Sequence, residues 1–369
     1  MRLSPYQNLR PEAFWRPSVA QAQARQIPNI YQKKFEISKT DRLMTAGSCF
    51  AQHIGATLRR HGFQVIDHEP APLELPAWRH KDFGYGMYSA RYGNLYTTLQ
   101  LVQLAKEALS SAPPDLIFWK NNGCFVDALR PQIEPHGFHS LSELCEHRRR
   151  HLSCVRKCLL EMDVLVFTLG LTETWQHLAS GRVLPLAPGV VAGHYDESEY
   201  SFVNLRFREN LQCMKKFFRV VDRARGNRPP FKLLLTVSPV PLTATASSSH
   251  ILVANTFSKS VLRSVAEELA QSNDRIDYFP SYELITNPIF LADNYESNCR
   301  TISEVGVATA MSVFLSQHDP DYDSIGKDDA MLTAPLPLRS GKNFQDLDQS
   351  VDSAIACEEE LLDRGRLLP

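Results

Sequence analysis

Ser48 is the residue of this chain best placed by its neighbours for nucleophilic chemistry. In Leu43-Met44-Thr45-Ala46-Gly47-Ser48-Cys49-Phe50-Ala51-Gln52-His53 a short apolar strand runs into a glycine. Ile54, Leu58 and the basic pair Arg59-Arg60 then mark a helix. A serine on such a tight strand-to-helix turn sits at the positive end of the helix dipole. Its own N–H, pointing outward, can help stabilise an oxyanion. The geometry resembles a nucleophile elbow, without the usual G-x-S-x-G spacing. The same letters also describe a Gly-Ser turn with a serine cap, and on local pattern alone the cap is the simpler reading. Cys49 is a rival nucleophile, or else a small residue packing under a sheet.

The elements that must position this turn follow from hydrophobic patterning. Strand one is predicted over Arg42–Ala46, helix one over Cys49–His61, and a second short strand over Gly62–Ile66 after a glycine stop. Residues 85–96 are dense in glycine and aromatics around Arg91 and read as a structured loop, either one wall of a pocket or a loop packed on the core. A helix over Thr98–Leu109, a β-hairpin insertion within residues 115–140 and a charged helix over Ser140–Glu161 come next. The run Arg148-Arg149-Arg150 on that helix reads as a solvated face. Asp163–Gly170 is the clearest buried strand, a continuous β-branched and apolar run of the kind parallel sheets need. Residues 178–202 read as a loop excursion, followed by a helix over Asn204–Ala224. A strand over Phe231–Val237, a polar loop over Thr243–Ser249 leading to His250, an amphipathic helix over Asn255–Gln271, a strand over Ile276–Glu283 and a helix over Ser303–Gln317 complete the domain.

Strands alternating with helices predict a doubly wound, mostly parallel α/β sheet. Ligands of such sheets sit beyond the carboxyl ends of the strands. Those ends are Gly47-Ser48, Gly170–Glu173, Ser238–Pro241 and Tyr278–Glu283, so polar residues collect where chemistry is expected. The domain reading is an N-terminal arm over 1–38, an α/β domain with loop and hairpin insertions over 39–317, and an acidic polar tail over 318–369. That tail carries a helical pattern near Phe344–Leu362 and is suited to covering an edge, to contacting a protein partner or to partial disorder. No internal repeat is present.

Composition bounds the function classes. The 369 residues are 43% hydrophobic and 22% charged with a formal net charge of −1, ordinary for a globular protein and without a global pull toward nucleic acid. The eight cysteines show no CxxC pair, as expected of reduced thiols. The N-terminus has no signal-peptide core, and no run of about 18 apolar residues exists for a membrane span. Together these predict a cytoplasmic protein. The acids and histidines do not cluster at ligand spacing, so neither a metal site nor another cofactor is expected.

Several blocks carry a resemblance. Gly47-Ser48-Cys49-Phe50-Ala51 looks like the signature of the GSCFA family, a bacterial group similar to the SGNH/GDSL hydrolases. Tyr92-Gly93-Asn94-Leu95-Tyr96-Thr97, Arg130–Pro135, Thr168–Trp175, Leu235–Leu242, Ser258-Lys259-Ser260-Val261-Leu262-Arg263 and Tyr278–Glu283 resemble further family blocks in the right order, spanning about residues 40–315. The resemblance implies a three-layer α/β/α sandwich of flavodoxin-like strand order. It also implies cleavage or transfer of O-acyl groups, often acetyl, on a glycan, glycoconjugate or small molecule. Ser48 would be the nucleophile and its N–H one oxyanion donor. The loop at Gly93, with Arg91 beside it, would supply a second. The usual G-x-N block reads Gly170-Leu171-Thr172, so the third donor becomes the Thr172 hydroxyl or moves to Asn94.

The usual D-x-x-H block is replaced by Asn298-Cys299-Arg300-Thr301. A serine hydroxyl without a base is a poor nucleophile near neutral pH. His250, His53 and His194 are the candidates. His250 is favoured because its loop leaves a strand end on the expected active face, with Glu173 or Glu283 to orient it. The alternative implied by the missing block is a non-catalytic glycan-binding or assembly protein that keeps the fold.

Overall fold

The apolar runs become the centre of a parallel sheet. In the computed structural model, which describes residues 4–22, 27, 29–114, 116–288, 291–322 and 361–362, the chain runs in the following order. First come β1 (Leu43–Gly47), α1 (Phe50–Arg60), α2 (Thr98–Leu109), β2 (Phe118–Asn121), β3 (Cys124–Asp127) and α3 (Leu141–Glu161). Then follow β4 (Val164–Leu169), β5 (Glu173–His177), β6 (Arg182–Leu184), β7 (Tyr200–Asn204), α4 (Phe207–Arg225), β8 (Lys232–Val237), α5 (Ile251–Ser272) and β9 (Ile276–Tyr278). All of these lie in one compact unit, Lys34–Phe279. A second unit joins the described residues of the arm up to Lys33 to the described residues of 280–322.

The main sheet has the order β1-β4-β8-β9, every pair parallel. All residues of β1 and β4 are buried, so both faces are covered. The predicted strand over Gly62–Ile66 shrinks to a single parallel bridge, Leu43 with Val65. The chain then turns away, with the His68 N–H donating to the Ser89 carbonyl at 3.0 Å. Counting that edge, the strand order is 2-1-3-4-5, the flavodoxin-like order. Right-handed crossovers put α1 on one face and α3, α4 and α5 on the other. Helices α2, α3 and α4 pack on one another, and α4 packs on α5.

Other features also depart from the sequence reading, and the strand expected over Ile276–Glu283 ends at Tyr278, with helix from Ser281. Residues 178–202 are not wholly loop: β6 and β7 flank β5 in a separate antiparallel sheet of order β6-β5-β7. Arg148 is also not on a solvated face. It is 2% exposed, and its guanidinium pairs with Glu107 at 2.5 Å and with Asp127 at 3.3 Å. Arg130 pairs with the same Asp127 at 2.9 Å and Arg182 with the same Glu107. A buried charge is tolerated when paired in this way, and the pairs join α2, β3, α3 and β6.

In the second unit lie α6 (Ser281–Ile285), α7 (Leu291–Asn294) and α8 (Glu304–His318). Here Asn298-Cys299-Arg300-Thr301 forms an exposed turn. The Asn298 Oδ1 accepts from the amides of Arg300 and Thr301, both at 2.9 Å, and Cys299 adopts φ 54°. An asparagine accepting its own downstream amides is a local turn device. The C-terminal tail expected over 318–369, with its helical pattern near Phe344–Leu362, lies almost entirely outside the described residues.

Candidate active site

The strand order reverses between β1 and β4, and in open α/β sheets the crevice at such a switch point is where ligands bind. The residues leaving those two strands are Gly47-Ser48 and Gly170-Leu171. Gly47 has φ 137°, and a Cβ there would come within 2.7 Å of the Thr168 backbone nitrogen. Only glycine fits this close approach. Gly170 is equally confined: a Cβ on it would stand 3.0 Å from the Ser48 Cβ and 2.9 Å from the Tyr96 carbonyl oxygen.

Ser48 is not a helix cap. The cap position of α1 belongs to Cys49, which makes no side-chain cap bond. The Ser48 hydroxyl is buried, 3% exposed, and has no hydrogen-bond partner. A serine that neither caps a helix nor bonds a neighbour gains nothing for the fold from its oxygen. Its N–H does not point outward as expected, since it donates to the Thr168 carbonyl at 3.2 Å. That amide is held by the β1–β4 connection.

Ser48 and Cys49 open onto a cavity of about 10 Å³, close to the least volume that holds a water. Tyr96, Gly170, Ser238 and Lys259 complete its wall, under a roof of Leu171, Val240 and Leu242. Tyr96, Leu171 and Leu242 form a small apolar cluster of their own, with Ile251 packed against it.

One face of α5 organises these loops. Asn255, Ser258 and Lys259 stand at i, i+3 and i+4, the spacing that shares a helix face. Asn255 Oδ1 accepts from the Leu242 amide at 3.2 Å, and Ser258 Oγ accepts from the Thr172 amide at 3.0 Å. Lys259 Nζ donates to the Gly170 carbonyl at 2.7 Å and is 2% exposed. The amides of Gly170 and Leu171 both donate to the Tyr96 carbonyl at 3.1 Å. The turn beside Ser48 is therefore fixed from two sides.

The other predicted residues fall as follows. Asn94 is buried, and its Oδ1 accepts from the Tyr88 hydroxyl and from Gln52 Nε2, the latter at 3.3 Å. The Tyr88 oxygen is 3.1 Å from the Ser48 carbonyl, so Asn94 is tied to the serine turn. Gly93 takes the left-handed conformation, φ 67°. The Thr172 hydroxyl donates to Asn204 Oδ1 at 2.7 Å. Arg91 is held by the Phe83 and Ile133 carbonyls and by Glu134, with its guanidinium 3.9 Å over the Tyr85 ring. That arginine is a loop clamp. Glu283 lies in the first turn of α6, in the second unit.

His250 does not face the cavity wall. It is exposed and caps α5, its Nδ1 accepting from the Leu252 amide at 3.2 Å. Glu173 accepts from the Thr245 hydroxyl at 2.7 Å, and burial pushes its carboxyl up from the ordinary range. No bond joins it to His250 among the described residues. Burial, and then Arg60, hold His53 down at about 4. His194 is exposed. Among the described residues no histidine or carboxylate lines the cavity that holds Ser48. No group of three or more metal-ligating side chains occurs among them either, and no helix is long and apolar enough to cross a membrane.

Sequence reasoning missed Lys259 as a site residue, although a signal was present. It precedes Leu262 by three positions and Ala266 by seven, within the buried stripe of α5. A lysine in an apolar stripe at helical spacing is one that the fold must bury.

The family model of the GSCFA family matches residues 42–314. No curated protein matches. Among solved structures, a Clostridium thermocellum family 3 carbohydrate esterase is similar at 10% identity, covering 78% of this chain and 98% of its own, with a TM-score of 0.31.

Proposed function

Because this chain belongs to the GSCFA family, we propose that it performs serine-dependent acyl-ester chemistry, as an O-acyl esterase or O-acyltransferase acting on a glycan, a glycoconjugate or a small acylated molecule, with acetyl as the acyl group. Ser48 attacks the acyl carbonyl and gives an acyl-enzyme, which water or a sugar hydroxyl releases. The observation that carries this reading is the Ser48 hydroxyl itself: buried, unbonded and facing a cavity at the strand-order switch. With the Ser48 amide held by Thr168, oxyanion stabilisation needs a donor other than that amide, and neither Gly93 nor Asn94 lines the cavity as it stands. Each such donor contributes about 3–4 kcal/mol where one has been removed in comparable sites.

A cavity of about 10 Å³ holds one water, so acyl transfer requires it to widen when substrate binds. The test is acetyl release from a p-nitrophenyl ester and a panel of acetylated sugars. Wild type is active and Ser48→Ala is inactive with an unchanged melting temperature. Equal rates in the two proteins contradict the proposal.

The second reading is a glycan-binding or assembly protein without catalysis. It is favoured by the turn at Asn298–Thr301 in place of an acid and a base, and by His250 serving as a cap. Wild-type protein that binds acetylated glycan but turns over no ester supports it.

A further inference from the structure

The proposed acyl transfer needs a group to take the Ser48 proton, and the histidines do not stand on its cavity. Lys259 does. It reaches the cavity from α5, and its Nζ is 2.7 Å from the Gly170 carbonyl. Gly170 packs so tightly on Ser48 that a Cβ there would lie 3.0 Å from the Ser48 Cβ. Ser48 and Lys259 thus line one cavity sized for a single water, and Gly170 touches both.

We propose that Lys259 is the proton acceptor for Ser48, the pair forming a serine–lysine site in place of serine and histidine. The inference rests on the reading of Ser48 as nucleophile. Serine–lysine pairs perform acyl transfer on unrelated folds, and lysine is the side chain that buried sites adapt as a general base. In the acylation step the neutral Nζ takes the Oγ proton, directly or through one water, as Oγ bonds to the acyl carbon. The tetrahedral oxyanion then collapses, the ester C–O bond breaks, and the Lys259 ammonium returns the proton to the departing alkoxide. Water or an acceptor hydroxyl repeats the cycle on the acyl-enzyme. Atoms and charge balance at each step, and no further reactant is required.

The other titratable groups facing this cavity are Cys49, from the start of α1, and Tyr96, from the loop ahead of α2. The segment after β4 contributes Gly170 and Leu171, and the loop after β8 contributes Ser238, Val240 and Leu242. Neither of these two segments brings an acidic, basic or histidine side chain to the cavity.

The experiment measures the rate at which a fluorophosphonate labels Ser48 in the full chain, with the modified residue mapped by mass spectrometry. Wild type, Lys259→Met and Lys259→Arg are compared, with melting curves for each. Arginine keeps a cation and an N–H for the Gly170 carbonyl but cannot accept the proton. The expected result is a loss of about 100-fold or more in both variants, the usual size of general-base catalysis. The wild-type rate should also rise with pH through one deprotonation. A folded variant that labels within about threefold of wild type overturns the inference while leaving Ser48 as nucleophile. A wild-type rate that is flat with pH overturns it even if neither variant folds. Absence of any label on wild-type Ser48 is a different failure, since it removes the acyl-transfer reading itself.

Discussion

Gly170→Ala is a perturbation whose consequence can be worked from distances. The added methyl would lie 2.9 Å from the Tyr96 carbonyl oxygen, 3.0 Å from the Ser48 Cβ and 3.2 Å from the Tyr96 Cα. Two of these are backbone atoms and the third is the root of the serine side chain, so none can swing aside as a flexible chain end would. The Tyr96 oxygen also accepts the Gly170 and Leu171 amides, both at 3.1 Å. Overpacking costs about 1–3 kcal/mol, and each weakened backbone bond adds about 0.5–1.5 kcal/mol. A total of roughly 2–6 kcal/mol lowers the melting temperature by roughly 4–24 °C for a unit of this size. Displacement of Ser48 adds a functional effect, because a shift of about 1 Å at a reacting atom costs on the order of 100-fold. Chemical denaturation and fluorophosphonate labelling, read on the same preparation, check both parts. A Gly170→Ala protein as stable as wild type, or one labelled equally fast, refutes the tight turn around Ser48.

Leu242→Ala should cost about 2 kcal/mol or more as a buried truncation, yet label Ser48 faster with bulky fluorophosphonates, because Leu242 belongs to the apolar roof of the cavity. Slower labelling would place the entry route elsewhere. Arg148→Met leaves Glu107 and Asp127 short of a buried partner and should destabilise by about 3–5 kcal/mol in urea. A loss below about 1 kcal/mol returns that arginine to the solvated face its sequence suggested. Burial holds His53 and His318 at about 4 and, helped by Arg130, holds His147 at about 3. Folded values below the unfolded value of about 6.5 mean that the unfolded chain binds more protons in between. Stability should thus be full above about pH 6.5 and fall toward pH 4, by up to about 1.4 kcal/mol per pH unit for each such histidine. Urea midpoints that do not change between pH 7 and about 5 contradict this assignment.

Much of the sheet was legible because its strands are continuous apolar runs, and Val164–Leu169 is buried at every position. The Ser48 turn was legible as a motif but ambiguous as chemistry. Only the missing cap bond and the unbonded oxygen separate it from an ordinary turn. Strands β6 and β7 were hidden by their shortness and mixed composition, since their register depends on β5 rather than on their own pattern. Arg148 was misjudged because its partners lie 41 and 21 residues away, beyond any local charge pattern. His250 illustrates the opposite error: its place after a strand end looked catalytic, while its ring satisfies the first turn of α5. Lys259 went unremarked because its meaning depends on Gly170, 89 residues away.

The central claim is that Ser48 is a nucleophile. Incubation of the wild-type chain with a fluorophosphonate, followed by digestion and mass mapping, tests it in one step. A single covalent adduct is expected on the peptide containing Gly47-Ser48-Cys49, located on the serine and absent from Ser48→Ala. Protein that stays unmodified while folded, or an adduct carried by Cys49, would contradict it.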